Sequence, residues 1–266
     1  MAKYPIILVH GIFRFDRLSS LIFDKDNSGR DNMHYFSNIR STLMEEGYQA
    51  HHVNVNWGGS LDTRAKDLKR QIEEYTDNYR LAEKVNIIGH SMGGLDARWM
   101  ICKHDMKDRV ATLSTIGTPH HGSPFAGWVM ENLSSAVEYL GKHEDISGIK
   151  DLTGESCAKM NQEIAECEER NDVEYAAWAG VQDFLYIFTP LKFPYKIVED
   201  EEGENDGLVS LKSARWNDRY YKGKIDADHL NLIGWWDLSE AFAWRGPGGL
   251  NDDIRKFYLK VAQGCQ

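Results

Sequence analysis

The stretch from Val85 to Gly94, VNIIGHSMGG, constrains the fold more than any other part of the chain. An apolar run of strand character meets a serine framed by glycines and passes straight into a helical pattern. A serine wedged between a strand and a helix must take a strained backbone of positive φ to push its hydroxyl out of the sheet. Only very small residues two positions on either side let strand and helix pass that closely, and Gly89 and Gly93 stand there. The order strand, Gly-x-Ser-x-Gly, helix sets this apart from a glycine-rich turn that happens to contain a serine. Ser91 is thereby the candidate nucleophile, and it needs a sheet behind it.

A second strand-end signal lies near the start of the chain. Ile6 to Val9 is a continuous apolar run, the pattern of a fully buried parallel strand, and it ends in His10-Gly11-Ile12-Phe13. Attack of a hydroxyl on an acyl group builds negative charge on the carbonyl oxygen, and backbone N–H groups in a glycine-loosened turn stabilise it without reorganising. The N–H groups of Ile12 and of Met92, the residue after the serine, are the expected oxyanion donors. Phe13 is expected against the substrate.

A chain of 266 residues with 42% hydrophobic content suits one large α/β domain over residues 1–266. Helical spacing predicts helices over Met33 to Glu46, Asp62 to Tyr79 with Asp62 as N-cap, and Leu95 to Lys103. Strands are expected over Tyr48 to Asn56, Val110 to Ile116 and Val173 to Gly180, the last clear one. His51 and His52 read as strand-end surface residues. Asp96 and Arg98 read as structural polar groups in the helix behind the serine.

Residues 123–170 break this rhythm, with Phe125, Trp128 and further apolar residues followed by a charged helix around Glu155 to Glu169. Two readings stand side by side: a cap whose apolar face, Phe125 and Trp128 included, contacts substrate, or an ordinary packing helix. Phe184 to Tyr195 reads as an irregular aromatic loop and Glu199 to Glu204 as a solvated acidic one. Trp235, Trp236 and a helix from Asp252 to Ala262 read as scaffold.

Nucleophilic attack by a serine calls for an imidazole to take its proton and a carboxylate to orient that imidazole. His229, in Asp226-Ala227-Asp228-His229-Leu230-Asn231, is the expected base. His120 follows too soon after the nucleophile strand for the chain order serine, acid, histidine, and reads as a brace. Asp206, in Asn205-Asp206-Gly207, and Asp183, just past the last clear strand, compete as the acid. Asp226 and Asp228 lie too near His229 in sequence to reach its Nδ1.

The net charge of −10, without clustered Lys and Arg, excludes a phosphate-tracking nucleic-acid surface. No apolar run approaches the ~20 residues needed to span a bilayer. Met1 to Pro5 leads almost at once into the first strand, leaving no room for a secretory leader, so an intracellular, cytoplasmic chain without a transmembrane segment is the expectation. Cys102, Cys157, Cys167 and Cys265 have no zinc-site spacing. Free thiols are the default, with a Cys157–Cys167 bridge as the alternative.

The blocks Tyr4 to Gly11, Gly89 to Leu95, Gly117 to His120 with Gly122-Ser123, Asn205 to Ser210 and Asp228 to Leu230 together resemble the α/β-hydrolase-fold triacylglycerol lipases. The resemblance extends to the Pseudomonas/Burkholderia type and is closer to the intracellular fungal type, through Ser213-Ala214-Arg215-Trp216 and the compact length. It implies a mostly parallel central sheet with helices on both faces and a short helical cap at about 123–170. It also implies Ser91 as nucleophile, Asp206 rather than Asp183 as acid, and His229 as base. The substrate class would be a lipid or other acyl ester, met through transient contact with a lipid interface. Phospholipase, short-chain esterase, acyltransferase and a catalytically silent binding protein are the alternatives. The related bacterial enzymes hold a structural calcium through residues whose places here are taken by Asn231 and Trp235. No metal and no cofactor is therefore expected.

Overall fold

The computed structural model describes residues 2–11, 31–56, 59–132, 147–236 and 246–266. Strands β1 (Ile6–Val9), β2 (Ala50–His52), β3 (Val85–His90), β4 (Val110–Ile116), β5 (Glu174–Val181) and β6 (Tyr221–Asp226) form one sheet in the order β2-β1-β3-β4-β5-β6, every pairing parallel. The chain starts at β1, steps outward to β2, then returns to β3 on the other side and proceeds outward again. At such a reversal the connections on β1 and β3 diverge, and a crevice opens beyond their C-terminal ends. Gly11 follows β1 there and Ser91 follows β3.

Successive side chains of a strand point to opposite faces, so a buried strand must be apolar on both. Ile6 and Leu8 join Ile88 and Ile116 in one core, closed by Ile39 and Leu43 of α1 (Ile39–Glu45) and by Phe257, Tyr258 and Val261 of the C-terminal helix Gly246–Gln263. Ile7 and Val9 join Ile87 and Leu113 in the other, closed by Leu68 and Ile72 of α2 (Leu61–Tyr75) and by Ala97, Met100 and Ile101 of α3 (Met92–Lys103). Beyond β4 come α4 (Pro124–Asn132), α5 (Ser147–Asp151) and α6 (Gly154–Arg170). Then follow α7 (Lys192–Glu202), α8 (Leu211–Ala214) and the C-terminal helix, α9.

The structure departs from the sequence expectations at several points. Ser60, not Asp62, caps α2, its hydroxyl accepting from the Thr63 N–H, while Asp62 in the first turn pairs with Lys66 and accepts from the Trp99 indole. A sixth strand, β6, lies at the sheet edge. The expected aromatic loop and acidic patch meet in α7, which tolerates Pro194 because a first-turn residue has no intrahelical acceptor to lose. His51 and His52 are half-buried, His51 stacked on Tyr75 and His52 on Phe36 and His34.

Cys102 of α3 and Cys167 of α6 form a disulfide, with Cα atoms 5.7 Å apart, and Cys157 and Cys265 are free thiols. The alternative pairing of Cys157 with Cys167 fails on geometry, because ten residues along one helix span ~15 Å. Of residues 123–170, α6 is a packing helix: Cys157, Met160 and Ile164 bury against Leu95 of α3. Among the described residues no helix is long and apolar enough to cross a membrane.

Candidate active site

Ser91 leaves β3 with φ 55° and ψ −132° and is the N-cap of α3. A Cβ on Gly89 would come 2.8 Å from Cα of Gly94, and one on Gly93 2.5 Å from the Val9 carbonyl oxygen. The first glycine therefore lets strand and helix pass, and the second lets the helix start cross the end of β1. The Ser91 N–H donates to the Ile116 carbonyl at 3.0 Å, and the Ser91 carbonyl accepts from Thr118 Oγ1 at 2.8 Å. Met92 opens α3, in the turn whose N–H groups have no intrahelical acceptor. Ile12 and Phe13 lie outside the described residues.

Asp206 sits in a tight turn between Asn205 and Ser210, fully buried. Its Oδ1 accepts from the N–H groups of Leu208 and Val209 at 3.0 and 2.8 Å, which leaves Oδ2 to meet His229 Nδ1 at 2.8 Å. A second bond, from the His229 N–H to the Asp206 carbonyl at 2.7 Å, fixes the two turns together. Asp228 anchors the histidine loop, taking the N–H groups of Leu230 and Asn231 on Oδ1 and that of Phe188 on Oδ2. The rival acid Asp183 is exposed and caps its own turn, accepting from Leu185 N–H at 2.9 Å.

The structure thus brings Asp206 and His229 into contact and sets them beside the nucleophile turn. The His229 ring lies 4.5 Å from that of His90, the residue before Ser91, and a Cβ on Gly117 would come 3.1 Å from Asp206 Oδ2 and 3.5 Å from His229 Nδ1. His229 Nε2 is buried and makes no hydrogen bond, so none joins it to Ser91 Oγ in this state. Such bonds are often long until substrate is bound.

The loop after β4 braces this arrangement. Thr118 holds the Ser91 carbonyl, Ser123 Oγ donates to the Leu208 carbonyl at 2.6 Å, and the His121 N–H donates to Ser213 Oγ at 3.0 Å. His120 is buried and stacked on Trp216. Its Nδ1 accepts from Arg98 and its Nε2–H donates to Thr115 Oγ1. Burial, and next the Arg98 charge, hold this imidazole well below its ordinary range, so it stays neutral. Arg98 also grips Glu168 of α6 with two hydrogen bonds, and Asp96 pairs instead with buried Arg64.

Two residues near the nucleophile escape sequence reasoning. Tyr35 places its hydroxyl 3.0 Å from the Gly11 N–H and 2.9 Å from His90 Nδ1. A tyrosine and a histidine in these settings carry no spacing signature, and the glycine-to-serine motif names His90 only as a filler.

Phe125 and Trp128 project from α4 and meet Phe193 of α7 edge-on, with ring centroids 6.3 and 5.1 Å away. Trp128 also lines a cavity of about 260 Å³ with His121, Ser123 and Glu202. Leu185, Tyr186 and Phe193 are exposed apolar side chains of the same region. Asn231 is spent within its loop, Oδ1 accepting from Asp228 N–H and Nδ2 donating to the Trp235 carbonyl. Among the described residues no group of three His, Cys, Asp or Glu side chains could hold a metal ion.

The model of the PGAP1-like alpha/beta domain matches residues 16–159. Triacylglycerol lipase 2 of Saccharomyces cerevisiae is 28% identical over 97% of this chain and 90% of its own length. A triacylglycerol lipase of Vibrio cholerae is 30% identical over 86% of this chain and 78% of its own. Among solved structures, a lipase of Bacillus licheniformis in its mature form superposes with a TM-score of 0.66 at 21% identity, over 87% of both chains.

Proposed function

Because the chain belongs to the triacylglycerol lipase family of α/β-hydrolases, we propose that it hydrolyses carboxylic esters of lipids with Ser91 as nucleophile, His229 as base and Asp206 as its orienting acid. The observation that carries this reading is the buried Asp206–His229 pair lying beside a serine at φ 55°. Ser91 Oγ attacks the ester carbonyl and His229 Nε2 takes its proton. The N–H groups of Met92 and Ile12 hold the oxyanion. His229 then protonates the departing alcohol, and water activated by the same imidazole releases the acid from the acyl-enzyme. Asp206 holds Nδ1–H throughout, so that Nε2 is the free base and the imidazolium is stabilised when it forms.

The substrate is a lipid ester met at an interface. Leu185, Tyr186 and Phe193 are exposed apolar residues, and their segment is tied to the site by Phe188 N–H on Asp228 and by Leu191 packed at Gly207. Phe13, Phe125 and Trp128 contact the substrate in this reading, with α4 as part of the cap expected at about 123–170. An intracellular place of action belongs to the same proposal.

The test is hydrolysis of p-nitrophenyl esters of graded chain length by Ser91→Ala. Loss of all but background turnover is expected, and a variant as active as the wild type would remove the mechanism. The chain-length profile separates lipase from short-chain esterase, and product analysis with an added alcohol separates hydrolase from acyltransferase.

A further inference from the structure

The machinery proposed above sits on four loops far apart in sequence, and two side chains that it does not use link three of them. The Tyr35 hydroxyl reaches between the ends of β1 and β3, accepting from the Gly11 N–H at 3.0 Å and lying 2.9 Å from His90 Nδ1. A Cβ on Gly11 would come 3.0 Å from both the Tyr35 oxygen and Ser91 Oγ. Phenol and nucleophile therefore flank the same backbone atom. His90 in turn faces His229, ring to ring at 4.5 Å.

The proton arrangement follows from burial. His90 is desolvated and beside the His229 imidazole, so it titrates well below its ordinary range and stays neutral. A neutral imidazole donates from one nitrogen and accepts at the other. The Tyr35 oxygen already accepts from Gly11 and its single O–H has His90 Nδ1 in reach, so the phenol donates there and Nδ1 accepts. Burial raises the Tyr35 hydroxyl far above its usual value, so that proton remains in place. The phenol has no second hydrogen to offer a substrate, and its influence on the reaction passes through the Gly11 peptide and the His90 ring.

We infer that Tyr35 is a positioning residue for ester hydrolysis. Its hydrogen bonds tie the Gly11 peptide to the nucleophile turn, and the His90 ring carries that tie by packing onto the His229 ring, which fixes where the ester carbonyl oxygen comes to rest. This rests on the assignments of Ser91, His229 and the Ile12 oxyanion donor proposed above. A bond holding the backbone one residue before an oxyanion donor acts on charge that exists only in the transition state, so its loss falls on kcat rather than on KM.

Tyr35→Phe keeps the ring contacts with His10, Phe36 and His90 and deletes only the hydroxyl. With p-nitrophenyl butyrate, kcat is expected to fall roughly 10- to 100-fold with KM within about twofold, at a folded fraction equal to wild type by circular dichroism. A kcat within twofold of wild type, or a loss carried wholly by KM, overturns the inference. Should Tyr35→Phe fail to fold, 3-fluorotyrosine at position 35 weakens the acceptor at nearly constant shape, and the same split between kcat and KM decides. Ser91→Ala is measured alongside. An inactive Ser91→Ala with fully active Tyr35→Phe removes this inference alone, whereas an active Ser91→Ala removes the reading beneath it.

Discussion

Ser91 is held at φ 55° and ψ −132°, a backbone setting that costs a residue with a Cβ about 1–3 kcal/mol and glycine much less. Ser91→Ala keeps that strain and Ser91→Gly releases it. Both variants are expected to be inactive, with Ser91→Gly the more stable by about 1 kcal/mol in thermal melts. Equal melting temperatures would show that the turn is relaxed. At Asp206 the chemistry is tautomeric. Asn in its place keeps an oxygen for the Leu208 and Val209 N–H groups but presents N–H to His229 Nδ1, forcing the proton onto Nε2. The proposal requires kcat to fall on the order of 10³- to 10⁴-fold with stability nearly unchanged; a small loss in steady-state kinetics would remove Asp206 from the role. Ser91 and the Asp206 turn are legible in the sequence because glycines and short motifs mark them. Tyr35 and His90 are not, since their partners come from segments that only folding brings together.

Among the elements, β3 and its apolar neighbours declare themselves by composition, whereas β6 and α7 do not. Tyr221 to Asp226 alternates half-buried with exposed residues and carries two lysines and a glycine, the dress of an edge strand. In α7 a proline in the first turn and a run of acids on the solvent side mask the stripe of Tyr195 and Val198 that the core receives. β2 makes a prediction of its own. Burial, and next the neighbouring His34, push the His52 imidazole down to about 2, so the unfolded chain binds its proton more readily than the folded one. Stability from this residue is present above the unfolded value near 6.5 and is lost as pH falls from there toward 2. His52→Phe keeps the stacking on Phe36 and is expected to move the acid-unfolding midpoint to lower pH; an unmoved midpoint would clear His52 of this role. The α3–α6 disulfide closes a loop 65 residues long in sequence, for which chain entropy gives about 4 kcal/mol. Reductant is accordingly expected to lower the melting temperature of the wild type and leave Cys102→Ser unaffected.

For the molecule as a whole, the reversal of strand order places every loop of the proposed machinery at one rim, together with the exposed Leu185, Tyr186 and Phe193. If that rim meets lipid, Leu185→Glu with Phe193→Glu should depress hydrolysis of an emulsified ester several-fold while sparing a soluble one; equal losses on both would place the residues in folding rather than docking. The fold class is legible at this scale because parallel strands must be apolar on both faces. The stitching of α6 to α3 is not, because cysteine spacing in sequence says nothing of which helix faces turn together. Of the proposed machinery nothing described sits at the opposite rim of the all-parallel sheet, and exposed Lys3 and Lys222 stand there beside the starts of β1 and β6. An enzyme anchored to a bead through either amine would be gripped from behind, its mouth turned to the oil.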